Sequence, residues 1–192
     1  MLTTLALGAC VAGRDARPED LRGAALPTAL AKPAFTFTAT DGSAYDFRAR
    51  TRGKLALVFF GYTHCPDVCP VTMANLGAVV QNLLPSEQEK ITVVFVTTDP
   101  ARDSLTRLRS WLANFDPDFV GLRAPLDSVN AVQAALHLPP TMVGEPDSTG
   151  AYEVGHSAVV VAFTPDDSAR FVYPFGIRQA DWAHDLPKLL AW

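Results

Sequence analysis

The stretch Leu55-Ala56-Leu57-Val58-Phe59-Phe60-Gly61-Tyr62-Thr63-His64-Cys65-Pro66-Asp67-Val68-Cys69-Pro70 decides the fold. Its first six residues are apolar without alternation, the pattern of a central strand covered on both faces. Beyond it, Pro70 suits the first turn of a helix, and Met73, Leu76, Val80 and Leu83 recur at helical spacing until Pro85 ends the run. A strand feeding a helix through a short loop puts that loop at the carboxyl end of a sheet, the crevice where open α/β folds keep their sites. Two cysteines, Cys65 and Cys69, occupy this loop.

Working outward, Ile91 to Val96 reads as a second buried strand, Asp103-Ser104 opens an amphipathic helix running to about Phe115, and Val129 to Leu136 reads as another helix. After a loop rich in Pro and Gly from Pro139 to Gly150, His156 to Phe163 and Arg170 to Tyr173 read as strands joined by a turn at Pro165-Asp166-Asp167. Asp181 to Leu190 reads as a closing helix despite Pro187. On the amino-terminal side, Phe35 to Thr38 and Tyr45 to Phe47 alternate around Asp41-Gly42, which predicts a β-hairpin. The expected fold class is therefore α/β, a thioredoxin-like core with an N-terminal β-hairpin extension.

With 192 residues, of which 48% are hydrophobic, the chain has material for one well-buried domain. The net charge is −4 and no Lys/Arg block occurs, so the electrostatic footprint of nucleic-acid binding is missing. Residues 1–10, MLTTLALGAC, fall far short of the roughly 20 apolar residues that cross a bilayer. Their end, Leu7-Gly8-Ala9-Cys10, resembles a lipobox, in which small residues precede a Cys that is lipidated, although no basic residue precedes Arg14. The expectation is a shortened lipoprotein-type leader over 1–10, a linker over 11–32 and a folded domain over 33–192. The protein would then sit on the outward face of the cell membrane, anchored by lipid at Cys10.

The Cys-x-x-x-Cys loop carries the chemistry. Cys69 sits beside the helix start, where free N–H groups and the helix dipole favour thiolate, so its pKa is expected to be depressed. One residue more than the Cys-x-x-Cys of redox enzymes widens the loop, enough to aim both sulfurs outward at a third atom. Thiolates select soft metals, but one pair cannot complete an iron–sulfur cluster or a Cys-rich zinc site, so any further ligands must be other residues. In an oxidising compartment the pair could equally close as a disulfide.

Gly61-Tyr62-Thr63-x-Cys65-Pro66-Asp67-x-Cys69-Pro70, together with Asp99-Pro100 after a strand and His156-Ser157 opening another, resembles the Sco/SenC family of copper proteins over roughly residues 33–192. The resemblance implies that Cys65, Cys69 and His156 bind Cu(I) and Cu(II). Two thiolates and an imidazole are a sensible trigonal set for Cu(I), and extra nitrogen or oxygen donors let such a site tolerate Cu(II). Many members of the family have Asp before this His where the chain has Gly155, leaving Glu153 or Asp99 to supply any supporting carboxylate. Asp99 is by default a capping or turn residue and is otherwise expected behind the ligands rather than among them. His64, His137 and His184 lack partner spacing, Met73 falls on an apolar helix face, and Met142 in the flexible loop is an outside candidate for transient copper contact.

The resemblance implies a metallochaperone, a binding protein rather than an enzyme, that serves the dinuclear copper site of cytochrome c oxidase subunit II. Its partners would include a copper donor protein and a thioredoxin-like reductant, because a Cys65–Cys69 disulfide offers copper no thiolate. The alternative is a thiol–disulfide oxidoreductase that keeps the oxidase cysteines reduced, with Cys65 and Cys69 as the redox pair. Against general redox work, Gly155-His156-Ser157 stands where thioredoxin-like enzymes usually place a cis-Pro. Peroxidase chemistry is disfavoured by Tyr62 and Val58 at the positions where peroxiredoxins carry Thr or Ser and Pro.

Overall fold

The computed structural model describes residues 20–192. In chain order the elements are β1 (Ala24–Ala31), β2 (Thr36–Ala39), β3 (Ala44–Asp46), α1 (Phe47–Arg50), β4 (Leu55–Gly61), α2 (Val68–Val80), α3 (Pro85–Gln88) and β5 (Ile91–Thr97). They continue as α4 (Leu105–Leu112), β6 (Val120–Arg123), α5 (Leu126–Ala135), β7 (Met142–Val143), β8 (Val154–Gly155), β9 (Val159–Phe163), β10 (Ser168–Pro174) and α6 (Gln179–Leu190). Eight strands form one sheet in the order β1-β10-β9-β4-β5-β6-β2-β3, and β7 and β8 form a separate ribbon.

All seven residues of β4 are buried, as its unbroken apolar run predicts. Parallel pairing with β5 sets Phe59 opposite Phe95, and antiparallel pairing with β9 sets Val58 opposite Val161. Because side chains alternate along a strand, Leu55, Leu57 and Phe59 enter one core and Ala56, Val58 and Phe60 the other. The first core is closed by Met73 and Leu76 of α2, Leu108 of α4, and Trp182 and Leu186 of α6. The second is closed by Phe37, Phe47 of α1, and Val129 and Val132 of α5. This is the thioredoxin-like layout, with the β2–β3 hairpin added to the β6 edge through Thr38 opposite Arg123.

The structure differs from the sequence reading in several details. Residues 24–31, read as the end of a linker, are strand β1 on β10. Their Ala-rich, mostly exposed sequence lacks strand character; distant partners hold them, since buried Asp185 accepts the backbone N–H groups of Arg22 at 2.8 Å and Gly23 at 3.0 Å. Pro27 is tolerated because β1 is an edge strand whose register shifts between Ala25 and Leu30. Next, β6 was not anticipated, being four residues that include Gly121. The strand expected from His156 starts at Val159, which leaves His156 in the irregular segment leading into it. The closing helix expected over 181–190 forms as α6 and continues through Pro187 into its last turn. The proposed leader, Cys10 included, lies outside the described residues.

Candidate metal centre

Cys65 and Cys69 of one loop and His156, 87 residues beyond Cys69, bring their ligand atoms within 4.8 Å of one another. Cys65 is half-buried in the turn after β4, its N–H donating to the Tyr62 carbonyl at 3.2 Å. Cys69 is the second residue of α2, fully buried, and its backbone N–H donates to Cys65 Sγ at 3.4 Å. That contact satisfies one of the free donors at a helix start. Gly61 makes room for this packing, since a Cβ there would lie 2.8 Å from Cys69 Sγ and 2.8 Å from the Phe59 ring.

The third donor arrives from the arm between β8 and β9. His156 Nε2 lies 3.4 Å from Cys69 Sγ, and Nδ1 lies 3.1 Å from the Ser157 carbonyl. A carbonyl can only accept, so Nδ1 carries the proton and the Nε2 lone pair is directed at the sulfurs. The rings of Tyr62 and Phe59 meet the imidazole edge to face at 5.6 and 5.8 Å. Burial lowers the His156 pKa and keeps the ring neutral. Burial also pushes the Cys69 thiol well above its ordinary value, opposite to the depression expected from its helix position. Loss of solvent around the whole sulfur outweighs the nearby N–H groups. The expected outward aim of both sulfurs therefore holds for Cys65 alone.

Beneath the loop lies a network the sequence reading missed. Asp103, fully buried, accepts from Thr63 N–H at 3.0 Å, Thr63 Oγ1 at 2.6 Å and Thr97 Oγ1 at 2.6 Å. Arg107 Nε adds a bond to Thr63 Oγ1 at 2.7 Å. Asp103 reads in sequence as the opening of a helix, but Ser104 caps α4 and Asp103 ties the start of the Cys loop to the end of β5. Its place at the carboxyl end of a buried strand was the available signal.

The other candidates stand apart. Asp99 is buried but bonds Arg102 and the Tyr152 hydroxyl rather than any of the three donors. Glu153 is exposed. Met142 is exposed and pairs with Gly155 in the β7–β8 ribbon. Met73 is core. His64 is exposed beside Asp103, His137 ends α5 with φ of 57°, and His184 bonds Asp185 and Lys188.

Two sulfurs and one neutral imidazole nitrogen, converging with a fixed tautomer, are a donor set for a soft metal ion in trigonal coordination. The family model described as SCO1/SenC matches residues 23–191. The chain belongs to the SCO1/SenC family. Among curated relatives, the mitochondrial SCO2 homolog of Danio rerio is 34% identical over 119 residues, 59% of this chain and 41% of that protein. The solved apo Sco1 of Thermus thermophilus is 26% identical with a TM-score of 0.78, covering 88% of this chain and 97% of that one. ScoI of Bradyrhizobium japonicum, solved with copper bound, is 29% identical with a TM-score of 0.70, covering 84% and 99%. Sco proteins as a family are described as cytochrome c oxidase assembly proteins. The chain spans between 32% and 60% of the length of the curated Sco relatives it matches. At the position where many Sco proteins carry Asp, a Cβ on Gly155 would meet only Met142, at 3.7 Å, so the pocket does not forbid a side chain there.

Proposed function

We propose that this Sco protein binds copper through Cys65, Cys69 and His156 and passes it to the dinuclear copper site of cytochrome c oxidase subunit II. The observation that carries the reading is the convergence of two sulfurs and one imidazole nitrogen within 4.8 Å, at the sheet end where the fold keeps its sites. Family membership and the copper-bound ScoI support copper as the cargo and oxidase assembly as the context. Half-buried Cys65 is the sulfur a partner can reach, and buried Cys69 with His156 holds the ion from behind. On the same reading a donor protein loads the site, a thioredoxin-like reductant keeps the pair reduced, and a lipid at Cys10 tethers the domain to the outward membrane face.

Titration of the fully reduced chain with copper tests this. One equivalent binds, with thiolate-to-Cu(II) charge transfer in the oxidised ion, and His156→Ala weakens binding by at least about tenfold. Binding that ignores His156 refutes it. The pairing of a reachable thiol with a buried one also favours a second reading, a thiol–disulfide oxidoreductase in which Cys65 attacks and Cys69 resolves. Weak copper binding combined with rapid exchange of the pair against glutathione selects that reading instead.

A further inference from the structure

The arm that delivers His156 has bonds of its own. Gly144 N–H donates to the Glu153 carbonyl at 2.8 Å, and the Asp147 carboxylate accepts from Thr149 and Ala151 within the tip. The body of the domain holds it at its base, where Thr141 bonds Asn130 and Gln133, and at Val154 in the first core, while Arg102 and Asp99 reach across to Tyr152. Arg102, in the turn after β5, donates through Nε to the Asp99 carboxylate and through Nη1 to the Tyr152 carbonyl at 3.0 Å. Its guanidinium carbon lies 3.6 Å from the centroid of the Tyr152 ring, and the Tyr152 hydroxyl donates to the other Asp99 oxygen at 2.9 Å. Asp99, Arg102 and Tyr152 thus close a ring of bonds four residues before His156. The same guanidinium lies 5.8 Å from the ring of Tyr62, which in turn abuts the imidazole.

We infer that Arg102, stacked on Tyr152 and bonded to Asp99, is a latch that positions His156 against the two sulfurs. This rests on the copper reading above for its purpose, and on the bonds just described for its mechanism. Stacking on a ring, a charge-assisted bond to a buried carboxylate and a bond to a carbonyl are satisfied together only by the planar fork of an arginine. A ligand on an arm that swings away binds metal with an affinity reduced to the fraction of time it spends in place, and groups that orient ligands commonly matter by 10- to 100-fold in affinity. The latch also gives Asp99 a part in the site without contact to any of the three donors.

Tyr152→Leu is the first variant to make, because it removes the stacked ring and the phenol while leaving the Arg102–Asp99 pair intact. Arg102→Met is the second. In the reduced, metal-free chain, hydrogen exchange of backbone amides 152–156 rises at least about tenfold in both variants while β4 and β5 keep their protection. With one equivalent of Cu(II), the paramagnetic resonance spectrum of each variant moves toward that of His156→Ala. Tyr152→Leu combined with His156→Ala binds no more weakly than His156→Ala alone. Unchanged exchange in the arm overturns the latch, as does faster exchange with a wild-type copper spectrum. If the wild-type chain binds no copper, or His156→Ala leaves the spectrum unaltered, the proposed function fails and hydrogen exchange alone decides the latch. Should Arg102→Met not fold, Tyr152→Leu carries the decision.

Discussion

At the scale of single residues, the site is held in its uncharged form. Burial lowers the pKa of His156 from 6.5 and raises that of Cys69 from 9.0, so the metal-free fold prefers a neutral imidazole and a neutral thiol. As pH falls below about 6.5 the unfolded chain protonates this imidazole and the folded chain does not, so stability declines toward acid. As pH rises past about 9.0 the unfolded chain ionises this thiol and the folded chain does not, so stability declines toward alkali. Urea denaturation of the reduced, metal-free protein across pH is therefore expected to show a shallower acid limb in His156→Ala and a shallower alkaline limb in Cys69→Ala. Limbs of unchanged slope in both variants contradict this account. On the copper reading proposed above, the ion displaces the Cys69 proton, so its apparent affinity is expected to rise with pH by about tenfold per unit for each proton released.

At the scale of elements, the site depends on how closely α2 approaches the end of β4. Gly61 is the contact point, and a methyl group there meets Cys69 Sγ and the Phe59 ring at 2.8 Å and the Phe95 ring at 3.1 Å. Gly61→Ala is expected to cost about 1–3 kcal/mol by overpacking and to push Cys69 away from His156. Thermal unfolding reads the first effect and copper competition the second; a variant with wild-type stability and affinity would show that α2 has slack. These two elements were legible in the sequence, because an unbroken apolar strand followed by a 3.6-residue periodicity has few other readings. The short ribbon of β7 and β8 and strand β6 were not, since two to four residues carry too little periodicity.

At the scale of the whole molecule, residues 20–31 close the sheet on the β10 side. Asp185 in the middle of α6 accepts from the Arg22 and Gly23 backbone and from the Tyr173 hydroxyl at 2.8 Å, and it is wholly buried. Gly23 lets the chain pass over Tyr173, whose ring would lie 2.5 Å from a Cβ there. Buried Lys32 completes the fastening with bonds to the Thr51 carbonyl at 2.8 Å and to Asp167 at 2.6 Å. Asp185→Ala leaves the Arg22 and Gly23 N–H groups, the Tyr173 hydroxyl and the His184 ring without their partner and is expected to cost about 2–4 kcal/mol. It should also make residues 20–31 cleavable by a protease that spares them in the wild type, followed by mass spectrometry of the fragments. A segment equally resistant in the variant would show that strand pairing with β10 suffices.

The sequence by itself determined the buried strand β4, the helix that follows it and the two sulfurs between them, because these are local: adjacent residues, read through periodicity and spacing. His156 stands out in the sequence only through the combined motif, since nothing near it in the chain distinguishes it, and its Nε2 lies 3.4 Å from Cys69 Sγ. Tertiary structure alone decided that Cys69 is buried and Cys65 reachable. It also decided that Asp103 anchors the loop from 40 residues away, that Asp99 bonds Arg102 and Tyr152, and that residues 24–31 are a strand. Each of these depends on a partner distant in the chain, and the burial and hydrogen bonds that fix it exist only once the sheet has brought both ends together.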